Sequence, residues 1–241
     1  MISFNRETEQ NEMFAKTMWM NPSIEYVIRQ NIVEYDMQQA SLNVSRRFHL
    51  IPDEKIDILE RMPKEKRTKD VGLMQRNNKE LSDNIINGIL QTRKEFIQTN
   101  QLTEDHIVTL HSDALMFIQN KVIKDKIHGV PFIQKHAWTS YLRYGRVEMF
   151  YIDGTIDYKN IPKPMLQQHT LGLNQYLLKI FRMLEDNDWD IFEYLSRFQK
   201  MYLQDKLDEC YYIPFGNTGA HKFENLKLLS MIAKIAINEV R

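Results

Sequence analysis

The chain has 241 residues, 43% of them hydrophobic, with 32 basic and 32 acidic side chains and no net charge; it is long enough for one large domain or two small ones. That balance argues against a protein that coats nucleic acid non-specifically, yet leaves room for a local basic channel. One cysteine, Cys210, excludes an internal disulfide framework, and no apolar run approaches the roughly 18 residues of a membrane span, so a cytoplasmic protein is expected.

In chain order, the first turn signal is Asn21-Pro22-Ser23, which predicts a capped short helix through Gln30. Ile32-Val33-Glu34-Tyr35-Asp36 is a β-branched and aromatic run that reads as a strand, with Ile32, Glu34 and Asp36 on one face. From Met37 to His49 the pattern turns helical. Ile56, Ile58, Leu59 and Met62 mark another helix, which Pro63 interrupts. Between Arg61 and Lys79 lie seven basic residues (Arg61, Lys64, Lys66, Arg67, Lys69, Arg76, Lys79) and two acidic ones, Glu65 and Asp70. Leu81 to Gln98 is amphipathic, with Ile85, Ile86, Ile89, Leu90 and Phe96 near one stripe.

Ile107 to Leu110 and Ala114 to Ile118 are apolar runs on either side of His111-Ser112-Asp113. They predict a tight hairpin with Asp113 at its tip, although the turn lacks glycine. Trp138 to Lys159 alternates strand runs with the turn pairs Tyr144-Gly145 and Asp153-Gly154, which predicts a three-stranded meander. The remainder reads as helices over about 165–184, 189–207 and 223–240. A composition shift near Pro162 is the only domain boundary that the sequence suggests.

The chemistry rests on Asp36 and Asp113. Phosphoryl transfer from a nucleoside triphosphate uses two cations about 4 Å apart, and carboxylates on rigid neighbouring strands can hold them. Glu34 shares a strand face with Asp36 and could add a third carboxylate. Each acidic side chain taken singly is more often an ordinary turn or surface residue. Arg67, Lys69, Arg76 and Lys79 are candidates to grip triphosphate or a template backbone; a solvated helix face is the alternative. Trp138 and Tyr141 could stack on bases or simply pack. The seven histidines show no zinc-type spacing. Residues Gly216 to Lys222 lack the spacing of a phosphate loop.

The run Asp36-Met37-Gln38-Gln39-Ala40-Ser41-Leu42 resembles the first palm motif of family A DNA polymerases, matching it at Asp36, Gln39 and Leu42. Leu110-His111-Ser112-Asp113-Ala114-Leu115-Met116-Phe117 is similar to the last palm motif, matching at Asp113, Leu115 and Phe117. Ala114 stands where the family has glutamate, Ser41 where a glutamate contacts the sugar-binding pocket, and Asn43 where it has arginine. Lys135 with Tyr141 loosely resembles the Lys-x-Tyr element with which family B polymerases touch the primer strand.

The resemblance implies a reduced palm, of a kind associated with bacteriophage genomes. The expected fold is α+β: a small antiparallel palm-like sheet with helices on one face and a helical C-terminal region. Residues 1–162 would form the palm, with a fingers-like basic insertion over about 52–101, and 163–241 a thumb-like region. Asp36 and Asp113, with Glu34, would hold Mg²⁺ or Mn²⁺ for nucleotidyl transfer. Arg67, Lys69, Arg76, Lys79, Ser41, Lys135 and Tyr141 would contact nucleoside triphosphate and DNA or RNA in the host cytoplasm. The alternative is a phage protein that has lost catalysis, as Ala114 would record, and binds nucleic acid or a host factor on the same scaffold.

Overall fold

The computed structural model describes residues 13–161, 172–213 and 223–240. The fold is α+β with two antiparallel sheets. The chain divides into two compact units. Among the described residues, one is built from those up to Ser23 together with Val33–Ala137, the other from Ile24–Ile32 and those from Trp138 onward.

The first unit holds a six-stranded sheet made of β1 (Met18–Met20), β3 (Ile32–Met37), β4 (Ile107–His111), β5 (Ala114–Ile118), β6 (Lys126–Ile127) and β7 (Val130–Trp138). Its order is β1-β4-β5-β3-β7-β6. β4 and β5 form an antiparallel hairpin with Leu110 opposite Leu115 and His111 opposite Ala114. The alternation in β3 sends Val33, Tyr35 and Met37 into the core and leaves Glu34 and Asp36 on the other face. The Tyr35 ring packs between Phe96 (5.8 Å) and Phe117 (5.6 Å).

Four helices follow β3 before the chain returns as β4: α1 (Ala40–Arg47), α2 (Asp53–Glu60), α3 (Lys64–Asn77) and α4 (Lys79–Thr99). Pro63 separates α2 from α3 because it cannot donate within a helix but suits the residue before one. Asn78 caps α4, its side chain accepting from the Leu81 N–H (3.0 Å). Ile85, Ile89 and Phe96 of α4 enter the core, and Gly88 lets α1 approach so closely that a Cβ there would overlap Val44.

The second unit holds the antiparallel sheet β10-β9-β8-β2, from β2 (Tyr26–Val27), β8 (Ser140–Tyr144), β9 (Val147–Ile152) and β10 (Thr155–Lys159). The Asp153-Gly154 turn has φ of 46° and 79°, as a type I′ hairpin requires. The helices α5 (Leu173–Glu185), α6 (Ile191–Leu203) and α7 (Phe223–Glu239) share a core with Met149 and Tyr151 of β9. Tyr151 stacks on Phe181 at 5.0 Å.

Three expectations change. Residues 21–30 are not helical: the Asn21 side chain accepts from the Ser23 N–H (2.8 Å) and donates to the carbonyls of Glu104 and Ile107 (both 2.8 Å). Asn21 thus ties the chain to β4, and Tyr26–Val27 goes on to pair with β8. The meander therefore has a fourth strand. The units also divide at Ala137 and Trp138 rather than near Pro162, because the apolar face of the meander packs with the C-terminal helices. Pro162, residues 165–171 and the 216–222 segment lie outside the described residues. Among the described residues, no helix is long and apolar enough to cross a membrane.

Candidate functional site

Asp36 sits near the end of β3, and Asp113 is the second residue of the two-residue turn between β4 and β5. β3 lies beside β5, and the Met37 N–H donates to the Asp113 carbonyl (3.0 Å). This register brings the two carboxyl groups to the same recess, near enough for each to feel the other's charge. On the opposite flank of β3, the Gln38 N–H donates to the Pro131 carbonyl (2.9 Å), which fixes β7 alongside. Lys135 of β7 then places its Nζ 2.6 Å from Asp36 Oδ2.

The electrostatics follow from this crowding. Burial pushes the Asp113 carboxyl above its ordinary range, and the neighbouring Asp36 carboxylate pushes it further. Lys135 is held more firmly protonated, chiefly by its hydrogen bond to Asp36, with Glu34 and Asp113 adding to the same field. Glu34 lines a shallow recess of about 510 Å³ together with Asp36, His111, Ser112, Asp113 and Ala114.

A second recess, about 580 Å³, opens from the same two aspartates toward α3. Lys64, Arg67, Thr68, Val71, Gly72 and Gln75 line it at the three- and four-residue spacing of one helix face. Gln38, Gln39, Ser41 and Lys135 complete the polar lining. Gln39 enters the helical turn with φ of 46°, which turns the chain from β3 into α1.

The predicted residues therefore separate. Asp36, Asp113, Lys135, Ser41 and Arg67 come together around one groove, with Glu34 on the neighbouring recess. Lys69, Arg76 and Lys79 are exposed and do not line the groove; Lys69 and Arg76 lie off the face of α3 that lines it, and Lys79 already belongs to α4. Tyr141 is fully buried in the other unit, packed on Phe150 at 4.9 Å, with its hydroxyl donating to Glu148 (3.2 Å). It has no free face for stacking on a base.

Arg93 was not singled out from the sequence. It belongs to α4 and is fully buried, with Nη1 donating to the Ser112 carbonyl (2.8 Å) beneath the Asp113 turn. Burial lowers its pKa to about 10, a drop that Asp113 partly opposes. The signal was available: Ile85, Ile89, Arg93 and Phe96 continue one apolar stripe, and an arginine on such a stripe needs buried acceptors.

Among the described residues, no group of three or more histidine, cysteine, aspartate or glutamate side chains is arranged to hold a metal ion. The Asp36–Asp113 pair nevertheless suits one kind of cation. Magnesium is commonly bound through one or two carboxylates, with substrate phosphates and water supplying the rest. Two hard, mutually repelling carboxyls beside an open polar groove match that donor set.

The family model described as Bacteriophage PBS1 gene 130 protein matches residues 8–235, nearly the whole length, and the chain belongs to that family. No curated protein matches it.

Proposed function

We propose that this member of the bacteriophage PBS1 gene 130 protein family is a nucleotidyltransferase acting on a DNA or RNA end in the host cytoplasm. The observation that carries this reading is the meeting of Asp36 and Asp113, remote in sequence, beside a groove whose opposite wall bears Lys64 and Arg67. The strand order supports it: the strand bearing Asp36 lies between the Asp113 hairpin and β7. Two carboxylates on neighbouring strands of one sheet are what two-cation phosphoryl transfer needs.

In this reading Asp36 and Asp113 would hold Mg²⁺ or Mn²⁺, which when bound supplies Lewis-acid neutralisation of a triphosphate. Arg67 and Lys64 neutralise the phosphates from the α3 side. Ser41, Gln38 and Gln39 offer hydrogen bonds across the groove. Lys135 pairs with Asp36 and holds its ammonium beside the reacting groups. A terminal hydroxyl attacks the α-phosphate, the new ester bond forms, pyrophosphate leaves and the hydroxyl proton passes to solvent.

A labelled primer, with or without template, incubated with nucleoside triphosphates and Mg²⁺ or Mn²⁺ tests this. Extension is expected, and Asp36→Ala and Asp113→Ala each reduce it by roughly 100-fold or more, since preorganised electrostatics carries such reactions. One observation favours the second reading, a binding protein without catalysis: Lys135 already neutralises Asp36 from within the chain. That reading predicts no extension, nucleic-acid or host-protein affinity unchanged in both aspartate variants, and loss of nucleic-acid affinity on Arg67→Ala.

A further inference from the structure

We infer that Arg93 is a positioning residue that sets the direction of the Asp113 carboxylate. The inference deepens the proposed nucleotidyltransferase site and, as to catalysis, rests on that reading. Its physical basis stands apart from any metal.

Arg93 is 0% exposed, and its guanidinium donates to four backbone carbonyls. Nη1 reaches Ser112 (2.8 Å) and Thr17 (3.3 Å); Nη2 reaches Lys16 (2.6 Å) and Met13 (3.4 Å). Nε alone has no partner among the described residues. A buried guanidinium is costly unless its donors are satisfied. Here the compensation comes from carbonyls on two chain segments, the hairpin turn and residues 13–17. The Ser112 N–H also donates to the Thr17 carbonyl, so the two segments are joined directly as well.

The consequence for Asp113 follows from peptide planarity. The Ser112 carbonyl lies in the same plane as the Asp113 amide. Arg93 fixes that plane, and the Met37 N–H fixes the next by bonding to the Asp113 carbonyl (3.0 Å). With both flanking planes pinned, the Cα–Cβ bond of Asp113 has one direction, and the residue lines the recesses it shares with Asp36. Ser112 reaches this geometry with φ of 46°, a left-handed conformation that a serine seldom adopts unless surrounding bonds enforce it. A lysine at this position could donate along three directions but could not span two segments with a planar fork.

The test compares wild type with Arg93→Lys, which keeps the charge and loses the fork. In hydrogen exchange, the amides of residues 111–115 and 13–17 should exchange faster by roughly tenfold or more, while those of β3 and α4 keep their rates. Mn²⁺ alone, titrated by paramagnetic resonance, should bind roughly tenfold more weakly to the variant, as when the support of a metal-binding carboxylate is lost. Unchanged exchange at the turn overturns the inference whether or not Mn²⁺ binds. Faster exchange at the turn with unchanged Mn²⁺ affinity also overturns it, reducing Arg93 to a structural role. Faster exchange with no Mn²⁺ bound even by wild type leaves the pinned turn standing and sinks the proposed metal chemistry. If Arg93→Lys fails to fold, nuclear magnetic resonance of wild type decides: protected Nη–H signals coupled through the hydrogen bond to the Ser112 carbonyl are expected, and freely exchanging signals refute it.

Discussion

At the residue scale the burial of Asp113, and then its proximity to Asp36, has a measurable cost. An acid whose folded-state pKa is raised binds its proton more tightly folded than unfolded. Stability therefore falls as pH rises from the ordinary carboxylate range through the raised value of Asp113. Asp113→Asn should remove that slope. The variant should melt above wild type at pH 7, with the gap closing as the solution is acidified, and thermal unfolding across pH checks this. Lys135→Met should steepen the same slope, because it withdraws the cation that now offsets the two acids. The strand position of Asp36 and the turn position of Asp113 were legible from apolar runs alone. Arg93 was not, because a stripe read for hydrophobic period passes over a polar residue lying on it.

Among the elements, the α1–α4 contact is the most sensitive to a single atom. Gly88→Ala places a methyl where Val44 already packs, and overpacking of this kind costs about 1–3 kcal/mol, to be read from urea unfolding. Asn21→Ala would orphan the carbonyls of Glu104 and Ile107 in a buried site and should cost a similar amount, about 1–3 kcal/mol. Helices α2, α3 and α4 were readable from Pro63, the basic run and the apolar stripe. The segment 21–30 was misread because asparagine before Pro-Ser is as good an Asx turn as a helix cap, and only the distant carbonyls near β4 decide between them. The charge run marked Arg61 to Lys79 as the most basic stretch, but not which face of α3 meets the groove. That depends on how α3 packs, with Val71 joining Leu42, Ile56 and Leu59 in a small core of their own.

For the whole molecule, the discontinuous second unit is what sequence reading could not reach. A two-residue strand leaves no periodic signal, so nothing in Tyr26-Val27 announces a partner at Tyr141 and Leu142. Replacing residues 24–30 by a Gly-Ser linker should expose the edge of β8 and remove Ile28 from its core. Circular dichroism on heating should then show helix lost at a lower temperature than in wild type, or a smaller helical signal at the outset. The order of synthesis gives this topology a temporal side. On the ribosome, everything the first unit needs has emerged once residue 137 is clear, whereas Tyr26-Val27 emerges early and must wait, unpaired, for more than a hundred residues of nascent chain before β8 exists to receive it.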